Sequence, residues 1–216
     1  MGPVPLRVNE IFHSIQGESS HAGRPCVFVR LTGCNLRCVW CDTAYAFHEG
    51  RTFTVEDVLE QVRAYRCPLV EVTGGEPLLQ ADAIPLLRRL LDEGFEVLLE
   101  TGGSLPIRDV PAGVKRIVDV KCPGSGEHER NLWDNLAHLR AGDELKFVLA
   151  GRADYEWAVR EIRERLLVER APILFSPVHG EVEGRDLARW VLDDRLPVRI
   201  QVPLHKVLWP AALRGV

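Results

Sequence analysis

No apolar run in this chain of 216 residues approaches the roughly 20 residues that cross a bilayer. The opening stretch Met1-Gly2-Pro3-Val4-Pro5-Leu6-Arg7 has neither the basic region nor the apolar segment of a secretory signal. A reducing cytoplasm is therefore the expected setting, without a membrane partner. Excess positive charge is missing as well. The chain has 27 basic residues against 31 acidic ones, a formal net charge of −4, so it lacks the footprint of a nucleic-acid binder. Repeats, low-complexity tracts and interdomain linkers are absent. With 46% apolar and 27% charged residues, the expectation is one globular domain over 1–216 with a full hydrophobic core.

What is present is concentrated in thiols. Of six cysteines, three fall in Cys34-Asn35-Leu36-Arg37-Cys38-Val39-Trp40-Cys41, with three and then two residues between them. Cysteine thiolates hold iron–sulfur clusters, and close spacing lets one loop reach several corners of a cubane. Three ligands on four irons leave one iron open for chemistry. A structural zinc site would instead need a fourth ligand from His48 or from the isolated Cys26, Cys67 and Cys122. A disulfide framework suits neither the expected compartment nor a chain of this length. The three isolated cysteines read as small buried hydrophobes, which argues against a second cluster.

Short apolar strands alternate with amphipathic helices from residue 25 onward, the pattern of an α/β fold. Strands are predicted at 26–31, 69–73, 96–101, 116–120, 144–149, 173–177 and 198–202. Thr54 with Asp57 offers a capping-box start to a helix with Val55, Val58, Leu59 and Val62 on one face. A second stripe, Ile84, Leu87, Leu90 and Leu91, stops at Gly94. A third helix is predicted over 155–166, with Tyr155, Ala158, Ile162 and Leu166 on its inner face, and a short one near 131–139. Parallel strands joined by helices predict a partial, incomplete β/α barrel with its function at the strand C-termini.

Two further runs stand at predicted strand ends. Thr73-Gly74-Gly75-Glu76-Pro77 lets the backbone approach a ligand and offers free amides to a carboxylate, although a lone glycine pair is often only a tight turn. Glu100-Thr101-Gly102-Gly103 repeats the arrangement at the next strand. CxxxCxxC together with the GGEP run resembles the radical S-adenosylmethionine (SAM) superfamily. Phe12-His13-Ser14-Ile15-Gln16-Gly17-Glu18-Ser19, Asp42-Thr43 directly after Cys41, and His205-Lys206-Val207-Leu208-Trp209-Pro210 before Arg214-Gly215-Val216 narrow the likeness. Together they resemble the 7-carboxy-7-deazaguanine synthases of queuosine and 7-deazapurine biosynthesis, over nearly the whole chain.

The resemblance implies a carbon–nitrogen lyase that converts 6-carboxy-5,6,7,8-tetrahydropterin to 7-carboxy-7-deazaguanine and releases ammonia. It implies a 4Fe–4S cluster on Cys34, Cys38 and Cys41, S-adenosylmethionine on the open iron, and magnesium at Thr43. Trp40, Cys41, Asp42 and Gly75 match cofactor-contacting positions, and so do Ser176, Pro177, Val178 and His179. Asp119, Val120 and Lys121 stand where some members have Ser-Pro-Lys, a departure at the first two positions. Ile15, Gln16, Gly17, Arg30, Thr73 and Pro210 match substrate positions, and a guanidinium fork at Arg30 suits a carboxylate. No protein general base is implied. A flavodoxin or ferredoxin as electron donor and a homodimer are also implied. Two alternatives are a glycyl-radical activating enzyme, which would take a large protein as substrate, and a non-catalytic iron–sulfur or zinc protein.

Overall fold

The computed structural model describes residues 5–209 together with 214 and 215. Nine strands form one sheet in the order β3-β1-β2-β4-β5-β6-β7-β8-β9. β2 (Pro25–Leu31), β4 (Leu69–Gly74), β5 (Glu96–Thr101), β6 (Lys115–Val120), β7 (Glu144–Leu149), β8 (Ile173–Pro177) and β9 (Arg199–Ile200) are mutually parallel. Their order follows the chain, so the sheet curls as an open barrel and, in the described residues, does not close on itself. The expected incomplete β/α barrel is what the sheet forms.

One edge differs from expectation. β1 (Leu6–Ile15) runs antiparallel to β2, and β3 (Arg51–Phe53) runs antiparallel to β1. The sequence reading assigned no strand to either segment. β1 carries an irregularity between Val8 and Glu10 that interrupts its side-chain alternation, and β3 has only three residues. The last predicted strand, 198–202, shortens to Arg199–Ile200.

Helices α1 (Val55–Ala64) and α2 (Ala83–Asp92) cover the outer face, as do α3 (Arg152–Glu164) and α4 (Gly184–Asp193). Thr54 and Asp57 form a reciprocal capping box at the start of α1, satisfying two backbone donors that the helix leaves unpaired. α3 ends before Leu166, which adopts a left-handed backbone and is 54% exposed rather than lying on the helix's inner face. The short helix expected near 131–139 is a 3-10 helix, Trp133–His138. A short α5 (His205–Leu208) follows β9.

Strand alternation sorts side chains into two layers. Val27, Val29, Val70, Val72, Val118, Val120, Leu145 and Phe147 point outward into the core beneath the helices. Their neighbours Phe28, Arg30, Glu71, Thr73, Asp119 and Lys146 point inward and line a cavity. The inner face of this sheet is therefore polar, with charge placed at strand positions that otherwise read as apolar.

The end of the sheet away from that cavity is held by a fully buried ion pair. Arg116 donates from Nε and Nη2 to Asp143, and its remaining donors reach the Ile107 and His138 carbonyls. Asp143 also accepts from the Arg116 and Arg140 amides, so every partner is satisfied. Removing one member strands a charge in low dielectric. Asp143→Ala is expected to lower the unfolding free energy by about 3–5 kcal/mol, read as a shift of the denaturant midpoint against the parent protein.

Candidate active site

The cavity opens at the C-terminal ends of the parallel strands and encloses about 640 Å³. Its rim begins where β2 ends. The Gly33 amide donates to the Ala46 carbonyl at 2.8 Å and the Thr32 hydroxyl to the Glu49 carbonyl at 2.6 Å, which turns the chain into the cysteine loop. Leu36 anchors the loop in the interior. Arg37 bonds back to the Cys34 and Leu36 carbonyls, and its amide donates to Glu127 at 2.6 Å. The Val39 amide donates to the Ser125 carbonyl at 3.1 Å, so the connection after β6 braces the loop from outside.

Cys34, Cys38 and Cys41 are free, half-buried thiols that all line the cavity, whereas Cys26, Cys67 and Cys122 are buried. Burial pushes the Cys34 and Cys38 thiols up from their ordinary range, with Lys121 acting against that shift. The Leu36 amide approaches the Cys34 sulfur at 3.4 Å, a hydrogen bond of the kind that tunes iron–sulfur ligands. Among the described residues no three His, Cys, Asp or Glu side chains are arranged to hold a single metal ion. Neither His48 nor Cys26, Cys67 or Cys122 lines that cavity, so the zinc alternative lacks the fourth ligand that the sequence offered.

The glycine pair after β4 seats this loop. Gly74 has φ +153°, and a Cβ there would lie 2.3 Å from the Leu31 carbonyl oxygen. At Gly75 a Cβ would lie 2.1 Å from the Gly33 oxygen and 2.8 Å from Cys34 Cβ. Glu76 is buried beside them and accepts from the Leu78 amide, the Gly102 amide and the Thr101 hydroxyl at 2.7–3.0 Å. Its carboxylate thus ties the glycine run to the end of β5.

Deeper in the cavity lies a network of charges. Lys146 donates to Glu18 at 2.9 Å and to Glu100, with Asp119 at 4.0 Å. Burial opposes its charge, but the Glu100, Glu18 and Asp119 carboxylates hold the ammonium well above the ordinary lysine range. Gln16 donates to Glu71 and accepts from the Glu18 amide at 2.8 Å. Burial and the facing Glu100 push the Glu71 carboxyl well above the usual carboxylate range. Lys121 holds Asp119 Oδ2 at 2.7 Å. Asp119 Oδ1 is buried with no partner among the described residues, a place for a donor from a bound molecule.

Arg30 donates from Nε to Glu10 at 2.7 Å, and its two Nη groups have no hydrogen bond among the described residues. On the opposite wall, the Leu204 amide donates to the Gly17 carbonyl at 2.9 Å and Lys206 pairs with Asp42 at 2.7 Å. The segment containing α5 therefore straps across the mouth.

Most residues singled out in the sequence meet here. Ile15, Gln16, Gly17, Arg30 and Thr73 line the cavity together with the cysteines, Trp40, Asp42, Thr43 and Gly75. So do Asp119, Lys121, Ser176, Pro177, Val178 and His179. Val120 does not. Its neighbours alternate around it, so it lies on the outer face beside a small void of about 20 Å³ with Leu132 and Trp133. Pro210 lies outside the described residues. Sequence reasoning missed Glu71, Lys146, Glu18, Glu10 and Tyr45. A charge inside an apolar strand, as in Leu69-Val70-Glu71-Val72 and Leu145-Lys146-Phe147, was the signal for the first two.

An open parallel barrel with three cysteines after its first parallel strand and a glycine run after the next defines a radical SAM enzyme core. Residues 28–120 match the Radical SAM superfamily. The chain is 48% identical to the 7-carboxy-7-deazaguanine synthase of Chlorobaculum tepidum, over 99% of this chain and 98% of that protein. It is 44% identical to that of Koribacter versatilis, over 98% of this chain and all of the relative. A crystal structure of QueE from Escherichia coli shares the fold with a TM-score of 0.75 and 23% identity, over 93% of this chain and 95% of that one. The chain belongs to the 7-carboxy-7-deazaguanine synthase family. It is thus a radical SAM lyase, and a 4Fe–4S cluster and S-adenosylmethionine are its cofactors.

The contact between Gly75 and Gly33 gives a direct test. Gly75→Ala is expected to push the cysteine loop off its seat, costing about 1–3 kcal/mol of stability and a severalfold loss of iron bound on anaerobic reconstitution. Gly151→Ala, where a Cβ meets open space, is expected to bind iron as the parent does.

Proposed function

We propose that the protein converts 6-carboxy-5,6,7,8-tetrahydropterin to 7-carboxy-7-deazaguanine with loss of ammonia. The observation that carries this reading is the one open cavity in which the cysteine loop, Arg30 and the Gln16–Glu71 and Lys146–Glu100 pairs face one another. A small, polar, anionic heterocycle fits such a space.

Cys34, Cys38 and Cys41 would hold the cluster. Gly75, Asp119 and Lys121, with the loop Trp40–Asp42 and residues 176–179, would hold S-adenosylmethionine. When bound, these groups supply the one-electron chemistry that starts the rearrangement. Arg30 would take the substrate carboxylate on its free Nη edge, and Gln16 and Thr73 would meet the pterin. Thr43 offers one hydroxyl at the cavity wall, which is a poor magnesium site by itself. The ion would therefore be completed by water and the substrate carboxylate. Lys146 and Lys121 remain charged, so the protein contributes fixed electrostatics and orientation rather than a general base.

The same reading includes a flavodoxin- or ferredoxin-type electron donor and a homodimer of single-domain chains working in the cytoplasm. Neither nucleic acid nor membrane has a part in it. No helix among the described residues is long and apolar enough to cross a membrane.

The test is anaerobic turnover of the reconstituted protein with S-adenosylmethionine, magnesium, reductant and 6-carboxytetrahydropterin, read by mass spectrometry. The expected result is 7-carboxy-7-deazaguanine from the parent and none from Cys38→Ala. Cleavage of S-adenosylmethionine without deazaguanine would overturn the substrate assignment.

A further inference from the structure

Beside Arg30 stands a chain of three side chains, Glu10, Tyr45 and Arg214, that the proposed reaction does not use; Tyr45 and Arg214 also line the cavity wall. Glu10 is the cross-strand partner of Arg30 in the β1–β2 pair. One of its oxygens, Oε1, accepts both Arg30 Nε at 2.7 Å and the Tyr45 hydroxyl at 2.9 Å. The Arg214 guanidinium lies 3.8 Å from the centre of the Tyr45 ring, and its Nη1 donates to Glu49 at 2.8 Å. A Cβ built on the next residue, Gly215, would stand 3.9 Å from Glu10 Oε2. The tail segment at 214–215 therefore rests on the same pair that grips Arg30.

The geometry decides what this grip does. An arginine held only by charge can rotate about its long stem, but one held at Nε has its guanidinium plane fixed. Here the fixed edge faces Glu10, and the two Nη groups are left for the cavity. Phe12 supports the guanidinium from one side at 5.7 Å and is itself stacked on Phe28. Glu10 would still be free to swing about its own stem. The Tyr45 hydroxyl gives its carboxylate a second bond.

We propose that Tyr45 is a positioning residue: through Glu10 it fixes the aim of Arg30, and through its ring it makes that aim depend on docking of the Arg214 segment. The proposal rests on the reading that Arg30 receives the substrate carboxylate. It means that the carboxylate subsite is complete only when the tail is seated.

The experiment is calorimetric titration of cluster-loaded, S-adenosylmethionine-bound protein with two ligands that cannot turn over: 6-carboxypterin, and pterin without the carboxylate. Tyr45→Phe keeps the ring and removes only the hydroxyl. It is expected to weaken 6-carboxypterin about tenfold, the scale of one hydrogen bond to a charged group, and to leave pterin unchanged. Arg214→Ala, at a half-exposed position, is expected to show the same selective loss. The double variant should lose no more than the larger single effect. Equal losses for both ligands, or none for either, would overturn the proposal, and additive losses would remove the link to the tail. Arg30→Ala tells the two readings apart. If it loses 6-carboxypterin selectively while Tyr45→Phe does not, only the role of Tyr45 falls. If it binds both ligands as the parent does, the role of Arg30 falls and takes the proposal with it.

Discussion

The backbone of Gly74 and Gly75 lies directly on that of Leu31 and Gly33, and the two halves of the site meet at that contact. Because no Cβ intervenes, β4 can end against β2 at backbone distance, and the cysteine loop leaves β2 from the same point. Glu76 then carries the constraint one strand further by taking hydrogen bonds from Thr101 and Gly102. Three strand ends, the thiol loop and the cavity floor are thus fixed relative to one another through main-chain contacts and one buried carboxylate. Such an arrangement holds geometry without long flexible side chains, which chemistry through a reactive species requires.

The interior charges follow a different logic. Parallel strands buried on both faces are normally apolar throughout. Here the outer layer keeps that character while the inner layer carries Glu71, Glu100, Asp119 and Lys146. Each is expensive alone in low dielectric, and each is matched. Lys146 balances two carboxylates, Lys121 balances a third, and Glu71 accepts a hydrogen bond from Gln16. The result is a preorganised polar lining whose cost was met during folding and does not fall on substrate binding.

Much of this was legible in the amino-acid sequence, and what was not has physical causes. The parallel strands read clearly because each is a short apolar run ending in a chemically distinctive loop. The cysteine spacing and the glycine run declared themselves by local pattern. β1 did not, because an irregularity at Val8–Glu10 breaks its alternation and its function-bearing end was read only as a motif. Glu10 and Tyr45 stayed invisible because they are 35 residues apart: the β1–β2 pairing brings Glu10 to Arg30, and Tyr45 reaches Glu10 from the 3-10 turn after the cysteine loop. Lys146 and Glu71 were visible as charges inside strands, but no local pattern says which charges a curled sheet will bring face to face. Val120 was grouped with Asp119 and Lys121, although alternation sends its side chain to the other face of the sheet.

The placement of the six cysteines has a consequence for life with oxygen. Cys26 and Cys122 sit in the apolar layer, where burial pushes both thiols far above their ordinary range, and Cys67 is buried near Cys26. Thiols of that kind neither ionise nor meet solvent readily, so they take little part in exchange or oxidation. The three loop thiols are the more exposed ones, and they share one short segment. Oxidants that enter the cavity therefore meet the loop's sulfur before that of the apolar layer.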